Sequence, residues 1–272
     1  MEYKDGVIYF NNIYVIESLY KEDRKTGTEL YEDVITRRSW QKPNLSTRLI
    51  QIESKKDLFE TLFNIKDQCS SKNNHPFIHF ETHGFSKGIS LKNKENIYWS
   101  EITPILREIN ISTKNNLFIS VAACLGGSIQ HEIKISEPCP FRGFIGPIEK
   151  VLGENLVISY STFFNELLVS NNFDSAIQKL NEGNFSNVKY EYMTSELFFD
   201  VIMKNHLKEL EQKSFLFDSI VSTITNRHWN NNTVVQKQFR TKGMFQKLVH
   251  DLLVNDLPFL IEVLKNRFLH VI

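Results

Sequence analysis

The sequence predicts an α/β protein: a mainly parallel β-sheet flanked by helices, followed by a helical C-terminal region. Three observations carry that prediction. Short apolar runs rich in β-branched and aromatic residues, such as Phe77-Ile78-His79-Phe80 and Leu117-Phe118-Ile119-Ser120-Val121, alternate with stretches whose apolar residues recur at helical spacing. The segments between the strand-like runs are long enough for a helical crossover, which parallel pairing demands. Beyond about Ser195 only helical periodicity remains.

In chain order, Val7 to Phe10 and Ile13 to Ile16, parted by Asn11-Asn12, read as a hairpin or a bulged first strand. The polar stretch from Lys21 to Leu45, with Gly27 and Pro43, reads mostly as loop. Arg48 to Ile52 reads as a strand, and Leu58, Leu62, Phe63 and Ile65 give the next segment an apolar helical face. Pro76 opens a strand that stops at Thr82-His83-Gly84 and so delivers His83 to a loop. Ser100 caps a helix to about Asn110, with Glu101 in its first turn and Ile102, Ile105, Leu106 and Ile109 on one face. The strand Leu117 to Val121 ends just before Ala122-Ala123-Cys124-Leu125-Gly126-Gly127. Phe141 to Ile145 reads as a further strand ending in Gly146-Pro147, followed by helices around Leu156 to Leu168 and Asp174 to Leu180.

Helical spacing then covers Leu197 to Leu210, Phe215 to Ile224, Met244 to Val254 and Leu257 to Phe268. Asn226 to Thr233 reads as a polar break, and Asp256 with Pro258 as the start of the last helix. The expected organisation is a sheet domain over residues 1–190 and a helical extension over residues 191–272.

Lys+Arg and Asp+Glu balance at 32 each, so no whole-chain field recommends nucleic acid or an anionic membrane as partner. No run of about 18 apolar residues occurs, and the start Met1-Glu2-Tyr3-Lys4-Asp5-Gly6 has no signal-like pattern, which reads as a soluble cytoplasmic protein. Cys69, Cys124 and Cys139 are too few and too irregular for a disulfide framework, and no Cys-x-x-Cys pair suggests zinc. An odd count leaves room for one reactive thiol.

Ligands of parallel sheets bind outside the carboxyl ends of the strands, where His83 and Cys124 are both expected. A thiol needs a base to become a strong nucleophile at neutral pH, and a histidine within hydrogen-bond reach supplies one. The separation, 124 − 83 = 41 residues, suits one loop, one helix and one returning strand. Gly84 is expected to turn the chain and to offer an unshielded N–H that holds a tetrahedral oxyanion together with the N–H of Cys124. Gly126 and Gly127 are expected to bend the following loop away from the sulfur.

At these residues the chain resembles the caspase-like clan of cysteine peptidases, including the bacterial CHAT peptidases. The resemblance rests on the apolar strand into His83-Gly84, the apolar strand into Ala122-Ala123-Cys124-Leu125-Gly126, and the order His before Cys. It extends from about Val7 to Leu180, taking in Gly143-Phe144-Ile145-Gly146-Pro147 and Phe163-Phe164 to Leu168. Ala122 and Leu125 depart from the caspase signature, which has glutamine at the first position, so cleavage after aspartate does not carry over. The resemblance implies a cysteine endopeptidase that needs no metal or organic cofactor. It implies a protein or peptide substrate, such as a gasdermin-like or other effector in antiviral defence, and an activating partner. It also implies that the loop after the first strand, with Glu17-Ser18, forms part of the substrate pocket; Glu17 there would favour a basic side chain, and Ala122 is the second candidate substrate-binding position.

Other readings compete. Cys124 taken alone suits a small buried core residue, which would make the chain an inert caspase-like interaction module, and a thiol acyl-transferase would use the same pair. His79 is expected to pack or hydrogen-bond, His75 to sit in a loop, and His131 to be a loop residue or an alternative base. His75, His79 and His83 share a strand face, but Pro76 argues against helical ligand spacing, and no metal site is expected. Cys139, between Pro138 and Pro140, reads as loop structure. The loop from Gly126 to Pro140, with Glu132, Lys134 and Glu137, reads as a solvated excursion, although in related enzymes this region rearranges or is cut on activation.

Overall fold

The protein was analysed as a computed structural model that describes residues 6–182, 187–212, 214–238 and 241–270. It divides into two compact units, one running to Glu196 and taking in Leu269 onward, the other Leu197–Phe268.

The first unit is built on a sheet of order β2-β1-β3-β6-β7-β8. Its strands are β1 (Asn12–Ser18), β2 (Ser46–Gln51), β3 (Pro76–Phe85), β4 (Gly88–Ser90), β5 (Asn96–Tyr98), β6 (Phe118–Ala122), β7 (Gly143–Pro147) and β8 (Tyr190–Thr194). The first five members of the order run parallel, and β8 closes the edge antiparallel to β7. β1, β3, β6 and β7 are buried along most of their lengths, as parallel strands covered on both faces must be. β4 folds back on the end of β3, and β5 pairs with β4.

Helices cover both faces. α1 (Thr26–Leu30) continues through a π-helical turn (Tyr31–Thr36) into α2 (Arg37–Ser39). These lie on the same face as α5 (Gly153–Ser170) and α6 (Phe173–Glu182), sharing a core with Val15, Phe77, Phe118 and Ile145 of the strands. α3 (Lys55–Lys72) and α4 (Trp99–Ser112) pack on the other face against Ile16, Ile78, Phe80 and Ile119. The alternation of Phe77 and Ile78 between these two cores is the period-two signature of a strand buried on both sides.

The second unit comprises most of α7 (Ser195–Gln212), then α8 (Ser214–Asn231), α9 (Thr233–Gln238) and α10, which extends over Lys242–Leu269. Val221, Phe245 and Val249 form its buried centre, with Trp229 and Leu253 packed around them. Among the described residues, no helix is long and apolar enough to cross a membrane.

Several elements differ from the sequence expectation. Val7 makes only an isolated bridge to Asn172, so the first strand is a single parallel strand and no hairpin forms. The stretch expected as loop is helical from Thr26 to Ser39, because Leu30, Val34 and Ile35 share one buried side against the neighbouring core. The helix α4 starts at Trp99, where the Glu101 carboxylate accepts the Tyr98 N–H at 3.0 Å. Of the expected break from Asn226 to Thr233, the part through Asn231 is helical within α8 and the chain breaks at Asn232 before α9, while Pro258 lies inside α10 instead of starting a helix. β8 was not foreseen; its pairing with β7 carries the sheet past the boundary placed near residue 190.

Candidate active site

β3 does not stop at Thr82. It runs on to Phe85, because β4 returns after a two-residue turn and pairs His83 with Ser90, Gly84 with Ile89 and Phe85 with Gly88. His83 therefore stands on a strand, held on a rigid element instead of a loop. On the other side β3 pairs in parallel with β6, Glu81 opposite Ala122. Two residues further on, that register brings His83 level with Cys124, which lies two residues past the end of β6 at Ala122. The two backbones touch here: a Cβ on Gly84 would lie 2.1 Å from the Cys124 carbonyl oxygen. Gly84 is thus needed for close approach within a strand, not to turn the chain as its sequence context suggested.

The chain leaves Cys124 through Leu125 in the left-handed region (φ 59°) and enters a 3₁₀ helix, Gly126–Glu132. A Cβ on Gly126 would meet Val121 Cγ1 at 2.6 Å, and one on Gly127 the Gly146 carbonyl at 2.9 Å, so the glycines let this loop fold back on the sheet. Leu125 N–H donates to Glu149 O, fixing the segment beside residues 149–152. In this arrangement the thiol sits between groups of Val151: the N–H of Val151 donates to Sγ at 3.4 Å, and Sγ lies 3.6 Å from the Val151 carbonyl. No hydrogen bond links Sγ to the imidazole of His83 in this state.

His83 and Cys124 line one cavity of about 380 Å³. Leu19, Asp23, Arg24 and Thr26 border it from the segment after β1, Glu81 and Thr82 from β3, and Val151 to Leu156 from the start of α5. The imidazole is clamped from one side. Its Nε2 lies 2.8 Å from Asp23 Oδ2, and its ring stacks on Tyr20 with centroids 4.2 Å apart and planes 23° from parallel. Asp23 is itself oriented, since the same oxygen accepts the Tyr20 N–H at 2.8 Å. Lys25 reaches back to the carbonyls of Leu19 and Tyr20 and braces the turn. A carboxylate on Nε2 fixes the tautomer with the proton there and leaves the Nδ1 lone pair free.

Below His83 on the same face of β3 lies a second polar chain. His79 is wholly buried, its Nδ1 2.7 Å from Ser120 Oγ and its Nε2 3.0 Å from Glu81 Oε2, and Thr26 Oγ1 donates to Glu81 Oε1 at 2.5 Å. Glu17, read as a pocket residue, is buried and committed: Thr28 donates to it through N–H at 2.8 Å and Oγ1 at 2.9 Å, and Gln51 at 3.2 Å. Neither Glu17 nor the buried Ala122 lines the cavity. His131 is exposed and borders a different cavity, with Ser86, Lys87 and Trp99. His75 stacks edge-on against Tyr9, and burial lowers its pKa.

The three thiols differ sharply. Burial pushes Cys69 and Cys139 up to about 12, whereas Cys124 is half-exposed at the cavity. Glu137 in the loop after the 3₁₀ helix pairs with Arg107 of α4 at 2.9 Å, so that excursion is tied to the body of the sheet unit.

A model of the peptidase C13 family matches residues 40–138, a span that holds both His83 and Cys124. Over that span, about a third of its length, the chain is similar to the peptidase C13 family. Among solved structures, the crystal structure of the Drosophila initiator caspase Dronc is similar at a TM-score of 0.49 and 10% identity, covering 71% of this chain and 82% of that one. No curated protein matches the sequence. Tyr20, Asp23, Glu81 and Thr26 lie against His83 or border its cavity, and sequence reasoning missed them. Period-two spacing from His83 points to Glu81, but nothing distinguishes Asp23 from its acidic neighbour Glu22 before the turn is seen.

Proposed function

We propose that the chain is a cysteine endopeptidase in which Cys124 is the nucleophile and His83 its base. The observation that supports this best is the level placement of the two residues on neighbouring strands at one cavity, with the only hydrogen-bonded nitrogen of His83 facing Asp23 and the other unclaimed among the described residues.

In this reading the thiol turns from Val151 toward the imidazole when substrate enters, as catalytic hydrogen bonds often tighten only in the complex. Nδ1 accepts the thiol proton and the thiolate adds to the scissile carbonyl. The backbone N–H groups of Gly84 and Cys124 hold the oxyanion. His83 then protonates the departing amine, the C–N bond breaks, and water, deprotonated by the same imidazole, releases the acyl group and restores the thiol. Asp23 acts as a positioning residue that keeps the proton on Nε2. The resemblance to CHAT-type peptidases supports a cytoplasmic protein partner as substrate, of the gasdermin-like effector kind, in antiviral defence with an activating partner. The helical region from residue 191 is proposed as an extension of the peptidase domain.

New peptide termini, mapped in cells expressing the intact protein beside its Cys124→Ala form, test this. Termini that appear only with the wild type are the expected result. No new termini, with Cys124 inert to thiol probes, would leave an interaction module, and acyl transfer without cleavage would leave a thiol acyl-transferase.

A further inference from the structure

We infer that Glu81 is the floor of the substrate pocket and directs cleavage to lysine or arginine. This rests on the peptidase reading above and assigns the pocket beside Cys124.

Glu81 precedes His83 by two residues on β3, so its side chain leaves the same face about 6.6 Å further into the sheet. That is a depth suited to a long basic side chain whose backbone carbonyl lies at the sulfur. Register supports the alignment: Glu81 is flanked by Glu17 on β1 and Ala122 on β6. On the nucleophile's side, Ala122 contributes only a methyl group. Glu81 is 3% exposed yet borders the cavity, with Leu19, Val151 and Leu156 to receive a methylene stem.

The charge balance points the same way. Arg24, the one Lys or Arg among the described residues that line the cavity, is spent on Glu29 through three contacts of 2.6–3.0 Å. Lys25 is turned to the backbone of residues 19 and 20. The remaining charged groups at the cavity, Asp23 and Glu154, are acidic. Among the described residues, the hydrogen-bond partners of Glu81 are Thr26 and His79, and no Lys or Arg pairs with it. His79 is held between the Ser120 hydroxyl on Nδ1 and the Glu81 carboxylate on Nε2. Each carboxylate oxygen has one hydrogen bond and a second lone pair to offer. A buried carboxylate without a cation is costly, and an ammonium or guanidinium from substrate supplies what the chain withholds, while an acidic side chain is repelled.

Acyloxymethyl ketone peptides that differ only in the residue before the reactive group (Lys, Arg, Asp or Asn) test this, with labelling of Cys124 followed by intact mass. The Lys and Arg probes are expected to label about a hundredfold faster than the others. Glu81→Gln should erase that preference, so that the four probes label Cys124 at rates within a few-fold of one another. Fastest labelling by the Asp or Asn probe, or a basic preference that survives Glu81→Gln, would overturn the assignment and leave the peptidase reading standing. If none of the four labels Cys124, the peptidase reading falls and this inference with it. Should Glu81→Gln fail to fold by circular dichroism, the wild-type panel still decides by its order of rates.

Discussion

His79 and His83 lie four residues apart on one face of one strand, and they live in opposite surroundings. His79 is sealed beneath Tyr160 and Phe164, with Ser120 on one nitrogen and Glu81 on the other. His83 stands at the rim, its side chain 38% exposed, with Asp23 on one nitrogen and no hydrogen bond to the other among the described residues. Both rings are oriented by a carboxylate. What separates a structural histidine from one equipped for chemistry is the unclaimed nitrogen and the thiol placed level with it.

The comparison is broken or sharpened by substitutions on either side of it. The largest effect is expected from Cys124→Ala, which should reduce peptide cleavage by at least about 10⁴-fold with an unchanged melting temperature. His83→Ala should follow at about 10³-fold, again with stability nearly intact, in steady-state assays on a cleaved peptide. His79→Leu should do the reverse: it strands the Glu81 carboxylate and the Ser120 hydroxyl in the interior, lowering unfolding free energy by about 3 kcal/mol in urea titrations. Equal effects of the two histidine substitutions on stability would remove the distinction drawn here.

Smaller effects bear on the clamp around His83. Asp23→Asn can donate to Nε2 and move the ring proton to Nδ1, so kcat should fall by about 10²-fold with little change in KM. Tyr20→Ala removes a stacked ring and leaves the carboxylate in place, for which about a tenfold loss is expected, read in the same assay.

Much of the architecture was legible because buried parallel strands announce themselves as short apolar runs. Phe77 to Phe80 and Leu117 to Val121 have no competing explanation at that length, and His83 and Cys124 follow from where such runs end. The helix from Thr26 to Ser39 was hidden because its buried residues, Leu30, Val34 and Ile35, are outnumbered by charged ones on its solvent side. β8 was hidden for a related reason: Tyr190 to Thr194 is only half-buried at a sheet edge and has no apolar run to show. The first-strand loop was expected to shape the site through Glu17, which is consumed by the start of α1, while the contacts to His83 come from Tyr20 and Asp23. Such assignments depend on how a turn folds back, which spacing in sequence does not encode.

The central claim, that Cys124 is a thiol activated by His83, is tested most directly by site-resolved alkylation of the folded protein with iodoacetamide at pH 8. Cys69 and Cys139, held up to about 12 by burial, remain protonated at that pH and should stay unmodified until the chain is unfolded. Cys124 should react faster than a free cysteine and slow about tenfold in His83→Ala. A Cys124 rate no greater than that of a simple thiol, or one indifferent to His83→Ala, would contradict the account.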